Sequence, residues 1–128
     1  MLNVLLVALG GGLGAALRYG LSLLVQRLAG GQFPWGTIAV NVTGCLVMGG
    51  LAWSLASPLP IPQKDAVRLV LVVGVLGGFT TFSAFGWETM HLATTAGMFQ
   101  AAGNIALSVV AWVAAVWGGA RLAETIWG

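Results

Sequence analysis

The chain has 128 residues, 59% of them hydrophobic, with five Lys or Arg and three Asp or Glu. A soluble domain carries about 25% charged residues, so the 6% found here excludes a water-soluble globule, and the apolar content excludes a disordered chain. The slight basic excess falls far short of the concentrated patch that nucleic acid requires, and a lone Cys45 permits no internal disulfide. What remains is one domain whose solvent is lipid.

The few charges partition the chain into apolar runs. Residues 1–17 are uncharged, as are 28–63, 69–87 and 89–120. A helix needs about 20 apolar residues to cross ~30 Å of hydrocarbon, so the run from Leu28 to Gln63 is too long for one span. Turn chemistry trims it at both ends. Leu28-Ala-Gly-Gly-Gln-Phe-Pro-Trp35 reads as a connector, and in Ser57-Pro-Leu-Pro-Ile-Pro-Gln63 three prolines remove backbone donors and stop a helix. Ala93–Phe99 is the third connector. The pattern predicts an all-α protein of four transmembrane helices in a single domain covering 1–128, at about 2–26, 36–57, 66–92 and 100–122.

In the first helix, Gly10-Gly-Gly-Leu-Gly14 contains a GxxxG suited to close helix packing, and nothing around it makes it a phosphate loop. The N-terminal run lacks a basic leader and continues into further spans, so it reads as the first helix rather than a signal peptide. Arg18 lies well inside this span. An intramembrane ionisable group is a functional-site candidate, with snorkelling to the interface as the alternative.

In the second helix, Asn41 follows Thr37 by one turn. A buried amide needs partners, which another helix or a small anion would supply. The third helix carries Gly77-Gly-Phe-Thr-Thr-Phe-Ser-Ala-Phe85 around the midpoint of its charge-free run. Paired glycines lower helix stability and adjacent threonines offer competing hydrogen bonds, which predicts a break there; a close-packed crossing through Gly77 and Gly78 is the alternative. Non-helical backbone at that depth must be buried in protein or satisfied by a ligand, and freed carbonyls at such breaks hold cations. Phe82 and Phe85 share a helical face extended by Phe79. They are packing bulk, or positive ring edges turned toward an anion. Glu88, one turn on, reads as a water-boundary residue.

In the fourth helix, Asn104 and Ser108 stand i, i+4 and form one polar face, a continuation of the track begun by Thr37 and Asn41. Trp35, Trp53, Trp87 and Trp127 fall near predicted helix ends, as an interfacial aromatic belt does. Trp112 and Trp117 lie deeper and read as lipid-facing or packing bulk. Lys64, Arg68 and Arg121 fall on one side of the membrane and Arg27 on the other, a bias weak enough to permit insertion in either orientation. No nucleophile–base pair, metal cluster or cofactor fingerprint is present, so the chain reads as a non-enzyme, and His91 and Cys45 have no ligand partners in spacing. Permeation of something small and anionic is the leading class. A small dual-topology multidrug exporter and a non-transporting membrane assembly subunit are the alternatives.

Gly77–Phe85, together with Trp35-Gly-Thr-Ile-Ala-Val-Asn-Val-Thr-Gly44 and Gly14-Ala-Ala-Leu-Arg-Tyr19, resembles the Fluc (CrcB) family of bacterial fluoride channels in motif order and over essentially the whole chain. The resemblance implies a multi-pass protein of the bacterial inner membrane that forms a dual-topology antiparallel homodimer. Two fluoride pores would run along the subunit interface, with broken third helices crossing at its centre. It implies that the backbone carbonyls of Gly77 and Thr80 hold a structural sodium ion. Phe82 and Phe85 would present ring edges to fluoride, Asn41 would be the pore amide, and Thr37, Ser83, Ser108 and Asn104 would line the polar track. Arg18 would stand at the vestibule. Two positions depart from the family pattern: Ala84 replaces a common hydroxyl residue, and Asn104 stands where some members have Tyr.

Overall fold

The computed structural model describes residues 1–128 and is all-helical. Helix α1 covers Leu2–Ala29 and α2 covers Trp35–Ala56. The third span, Lys64–Thr95, is composite: α3 (Lys64–Val67), a π-helical stretch (Arg68–Leu76), α4 (Gly77–Phe79) and α5 (Ser83–Thr95). Helix α6 covers Met98–Trp127. Four segments are long and apolar enough to cross a bilayer, as the charge spacing predicts. Only 20 of the 128 residues are buried, while Leu9, Leu13, Leu17, Val109 and Val113 face outward. An exterior this apolar is stable in hydrocarbon and not in water; this is a multi-pass membrane protein.

The connectors close by local chemistry. At the first, the Gln26 amide donates to the Gly31 and Phe33 carbonyls at 3.1 Å each and accepts from the Gly36 N–H at 3.1 Å. Gly30 and Gly31 take positive φ there, 69° and 73°, which glycine adopts freely. At the second, Lys64 Nζ donates to the Ser57 carbonyl at 2.6 Å. It thereby satisfies backbone left open where the proline run ends α2.

Close packing is built on glycine. A Cβ at Gly14 would lie 2.0 Å from the Val75 carbonyl oxygen, and one at Gly78 would lie 2.3 Å from that of Gly11. Backbone therefore meets backbone where α1 crosses the third span, as small residues allow in membranes. Helices α2 and α6 pair in the same way: a Cβ at Gly49 would fall 1.9 Å from the Val116 carbonyl oxygen, and one at Gly119 would fall 1.9 Å from that of Leu46. The π-helical stretch contributes to the first crossing. Its Val70 and Val75 carbonyls are the groups closest to Gly10 and Gly14, and its i→i+5 pattern persists to the Gly77 N–H, which bonds the Val72 carbonyl.

The third span is interrupted, but beyond the paired glycines. Gly77 and Gly78 remain helical, and the chain leaves the helix at Thr80, where φ is −81° and ψ 154°. Of the paired glycines, Gly78 makes a close crossing with the Gly11 backbone and Gly77 does not, and the non-helical residues are Thr80–Phe82.

Candidate functional site

The break is gripped from α2. Asn41 Nδ2 donates to the Thr81 carbonyl at 2.8 Å, and the Thr81 N–H donates to Asn41 Oδ1 at 2.9 Å. One amide side chain thus replaces both of the backbone partners that Thr81 loses on leaving the helix, the requirement for any break away from water. One turn on, Gly44 leaves room for the Thr80 methyl, which a Cβ at Gly44 would approach to 2.4 Å. Thr81 Oγ1 accepts from the Ala84 N–H at 3.2 Å and so helps to start α5. Across the break, no backbone N–H bonds the Gly77 or Thr80 carbonyl. These two oxygens remain free as acceptors.

Phe82 and Phe85 flank the start of α5 with ring centroids 5.6 Å apart and planes tilted by 59°. Phe85 is buried and Phe82 is 77% exposed. Phe85 in turn meets Trp112 edge to face, with centroids 4.9 Å apart at 75°. The aromatic group therefore includes a ring from α6 that helical spacing on the third span does not reveal.

Two clefts meet the break. The larger, about 670 Å³, is lined by Arg18, Ser22, Thr37, Thr81, Ser83 and Glu88 among others. It places Arg18 together with Thr37 and Ser83. The smaller, about 240 Å³, is lined by Asn41, Thr80, Thr81, Phe82 and Trp112 among others. Thr81 borders both.

The remaining polar residues form separate groups rather than one continuous hydrogen-bonded track. Thr37 Oγ1 donates to Glu88 Oε1 at 2.7 Å. Glu88 is thus half-buried and tied to α2, and its other carboxylate oxygen is buried without a partner. The sequence signal was present, since Glu88 is the one carboxylate within the ranges 2–26, 36–57, 66–92 and 100–122 predicted from sequence, but its partner lies 51 residues away. Elsewhere, the fully buried Ser108 donates to Asn104 Oδ1 at 3.2 Å, Asn104 Nδ2 donates to Thr89 Oγ1 at 2.9 Å, and Thr89 donates to the Phe85 carbonyl at 2.7 Å. This relay locks α6 to α5, and Asn104 does not reach Asn41 or Thr37. Replacing Asn104 by Leu removes the acceptor of the Ser108 hydroxyl and the donor to Thr89, so Asn104→Leu is expected to cost about 1–3 kcal/mol, read as a lowered melting temperature in detergent. An unchanged melt would show that the relay is not structural.

The site gathers neutral amide, hydroxyl and indole donors with aromatic rings. Comparison with known proteins places the chain. The CrcB-like protein, Camphor Resistance (CrcB) family matches residues 5–120. The chain is 45% identical over 123 residues to the fluoride-specific ion channel FluC of Solibacter usitatus, covering 96% of this chain and 99% of that protein. It is 40% identical over 126 residues to the fluoride-specific ion channel FluC 1 of Streptomyces avermitilis, with 98% and 99% covered. A similar match, 41% over 126 residues, is to the FluC channel of Agrobacterium fabrum, again with 98% and 99% covered. The motifs, the four spans and a match over nearly the full length agree: the chain belongs to the CrcB family.

Proposed function

We propose that this protein is a fluoride-selective channel that lets fluoride leave the bacterial cytoplasm passively through the inner membrane. The observation that carries this reading is the interrupted span itself. Asn41 holds the backbone open at Thr81 while Phe82 and Phe85 present a ring pair at the same point, with no lysine or arginine beside them. Fluoride is small and strongly hydrated, so it enters a dry path only where donors replace its water. A fixed cation would hold it too tightly, since conduction requires exit as well as entry. Asn41 spends one N–H on Thr81 and retains a second for the ion. Positive ring edges at Phe82 and Phe85 add attraction without a full charge. Arg18, in the larger cleft, raises local anion concentration before the constriction.

The working unit is an antiparallel homodimer with the breaks meeting near mid-membrane. The exposure of Phe82, a large ring beside the break, supports a face covered by a second copy. The Gly77 and Thr80 carbonyls fit a hard cation such as sodium, because they are neutral oxygens with no backbone donor. Two oxygens are too few for such an ion, and a second copy would supply the same pair. A bound sodium would neutralise the carbonyl dipoles and fix the two breaks together. Ser83, Thr37, Ser108 and Asn104 are assigned to the polar lining. The hydroxyl protons of Thr37 and Ser108 are already donated within the protein, so either serves the ion only after its side chain turns.

The test is efflux from proteoliposomes loaded with fluoride or with chloride. Rapid fluoride efflux with little chloride efflux is expected, and Phe82→Ile should slow it about tenfold, the scale of losing a favourable aromatic contact. Equal rates for the two halides would overturn the assignment.

A further inference from the structure

Two buried side-chain polar atoms have no hydrogen-bond partner: a Glu88 carboxylate oxygen and the Trp112 indole nitrogen. The first is an acceptor belonging to the Thr37–Glu88 pair. The second is a donor, and indole nitrogen can only donate. A buried N–H without an acceptor is costly and calls for an explanation. Trp112 is also well placed. It lines the smaller cleft with Asn41, Thr81 and Phe82, and its ring lies against Phe85. The hydroxyls of Thr37, Ser108 and Thr89 all have internal acceptors. The only sulfurs lining this cleft, those of Cys45 and Met48, are weak acceptors.

We propose that the Trp112 indole N–H is an anion donor of the permeation path in this chain, completing with the second Asn41 N–H a pair of neutral donors beside the Phe82–Phe85 rings. The inference rests on the channel reading above and adds a specificity-determining residue to it. A single N–H donor beside aromatic rings favours the acceptor with the highest charge density, which among halides is fluoride. It contributes no formal charge that would retain the ion. It also gives α6 a direct role at the break, which is otherwise built from α2 and the third span.

Two measurements test it on the full-length protein. In 15N-tryptophan-labelled protein, the indole resonance that disappears in Trp112→Phe should shift downfield on titration with sodium fluoride and stay in place with sodium chloride. In proteoliposomes, Trp112→Phe keeps a ring against Phe85 but removes the donor. It should lower fluoride efflux about tenfold, the scale of a lost hydrogen bond to a charged group, and leave the small chloride leak unchanged. An indole resonance unmoved by fluoride, or a Trp112→Phe channel as fast as wild type, overturns the proposal while the wild-type flux leaves the channel reading standing. A wild-type protein that passes no fluoride overturns both.

Discussion

Asn41→Asp is expected to reduce fluoride efflux by about a hundredfold, the equivalent of the roughly 3 kcal/mol that an aspartate costs at the centre of a membrane helix. The geometry explains why so small a change is so damaging. The Thr81 N–H would keep an acceptor, but the Thr81 carbonyl would exchange a donor at 2.8 Å for a carboxylate oxygen. Either the carboxylate ionises and repels both that carbonyl and an anion, or it stays protonated, keeps both Thr81 bonds and lacks the second N–H of the amide. Ionisation acts on the fold of the break and on its chemistry, and protonation acts on the chemistry alone. Efflux should fall in either case, and thermal stability in detergent should fall with it where the carboxylate ionises. A stable variant conducting near the wild-type rate would show that Asn41 neither holds the break nor lines the path.

Gly49→Val is expected to have the largest effect on folding. A Cβ there falls 1.9 Å from the Val116 carbonyl oxygen, and Gly119 makes the reciprocal approach to Leu46. The obstruction is backbone on both sides, so no side chain can rotate away. Relief requires α2 and α6 to separate along their length. Overpacking of this kind costs about 1–3 kcal/mol and more where the backbone is involved, enough to remove the monodisperse species after extraction. Separation would also shift Asn41, on the same helix, away from Thr81, so any residual protein should conduct poorly. Gly103→Ala is the matched control: nothing lies within 4 Å of a Cβ at that position, so it should raise stability by up to about 1 kcal/mol through helix propensity. If Gly49→Val melts like wild type, the close α2–α6 approach is not what holds the bundle.

These outcomes separate what is local in the chain from what is not. Partition between lipid and water is a sum over adjacent residues, so the spacing of Arg18, Arg27, Lys64, Arg68, Glu88 and Arg121 was enough to locate four spans. Proline and glycine act on their own backbone, which made the connectors legible. The interruption after Phe79 lies within the Gly77–Phe85 motif, at its adjacent threonines and not at its paired glycines. Gly77 and Gly78 were the weakest helix formers, yet they stay helical because Gly78 packs on the Gly11 backbone, and the chain departs instead at Thr80, where α2 offers replacement partners.

The partners themselves were beyond reach of local reading. Asn41 finds Thr81 across 40 residues and Thr37 finds Glu88 across 51, and no periodicity within one helix encodes such distances. The π-helical register of Arg68–Leu76, which lies against α1, was likewise not legible in the apolar run. Trp112 is the sharpest case. As a residue in an apolar run it is bulk for lipid, and only the arrival of Phe85 and the Asn41 cleft around it turns its N–H into a buried donor without an acceptor. The sequence alone determined which solvent this chain lives in and which segments cross it. Tertiary structure decided which polar groups satisfy one another and which are left without a partner, because hydrogen bonds are assigned by proximity in space and not by order along the chain.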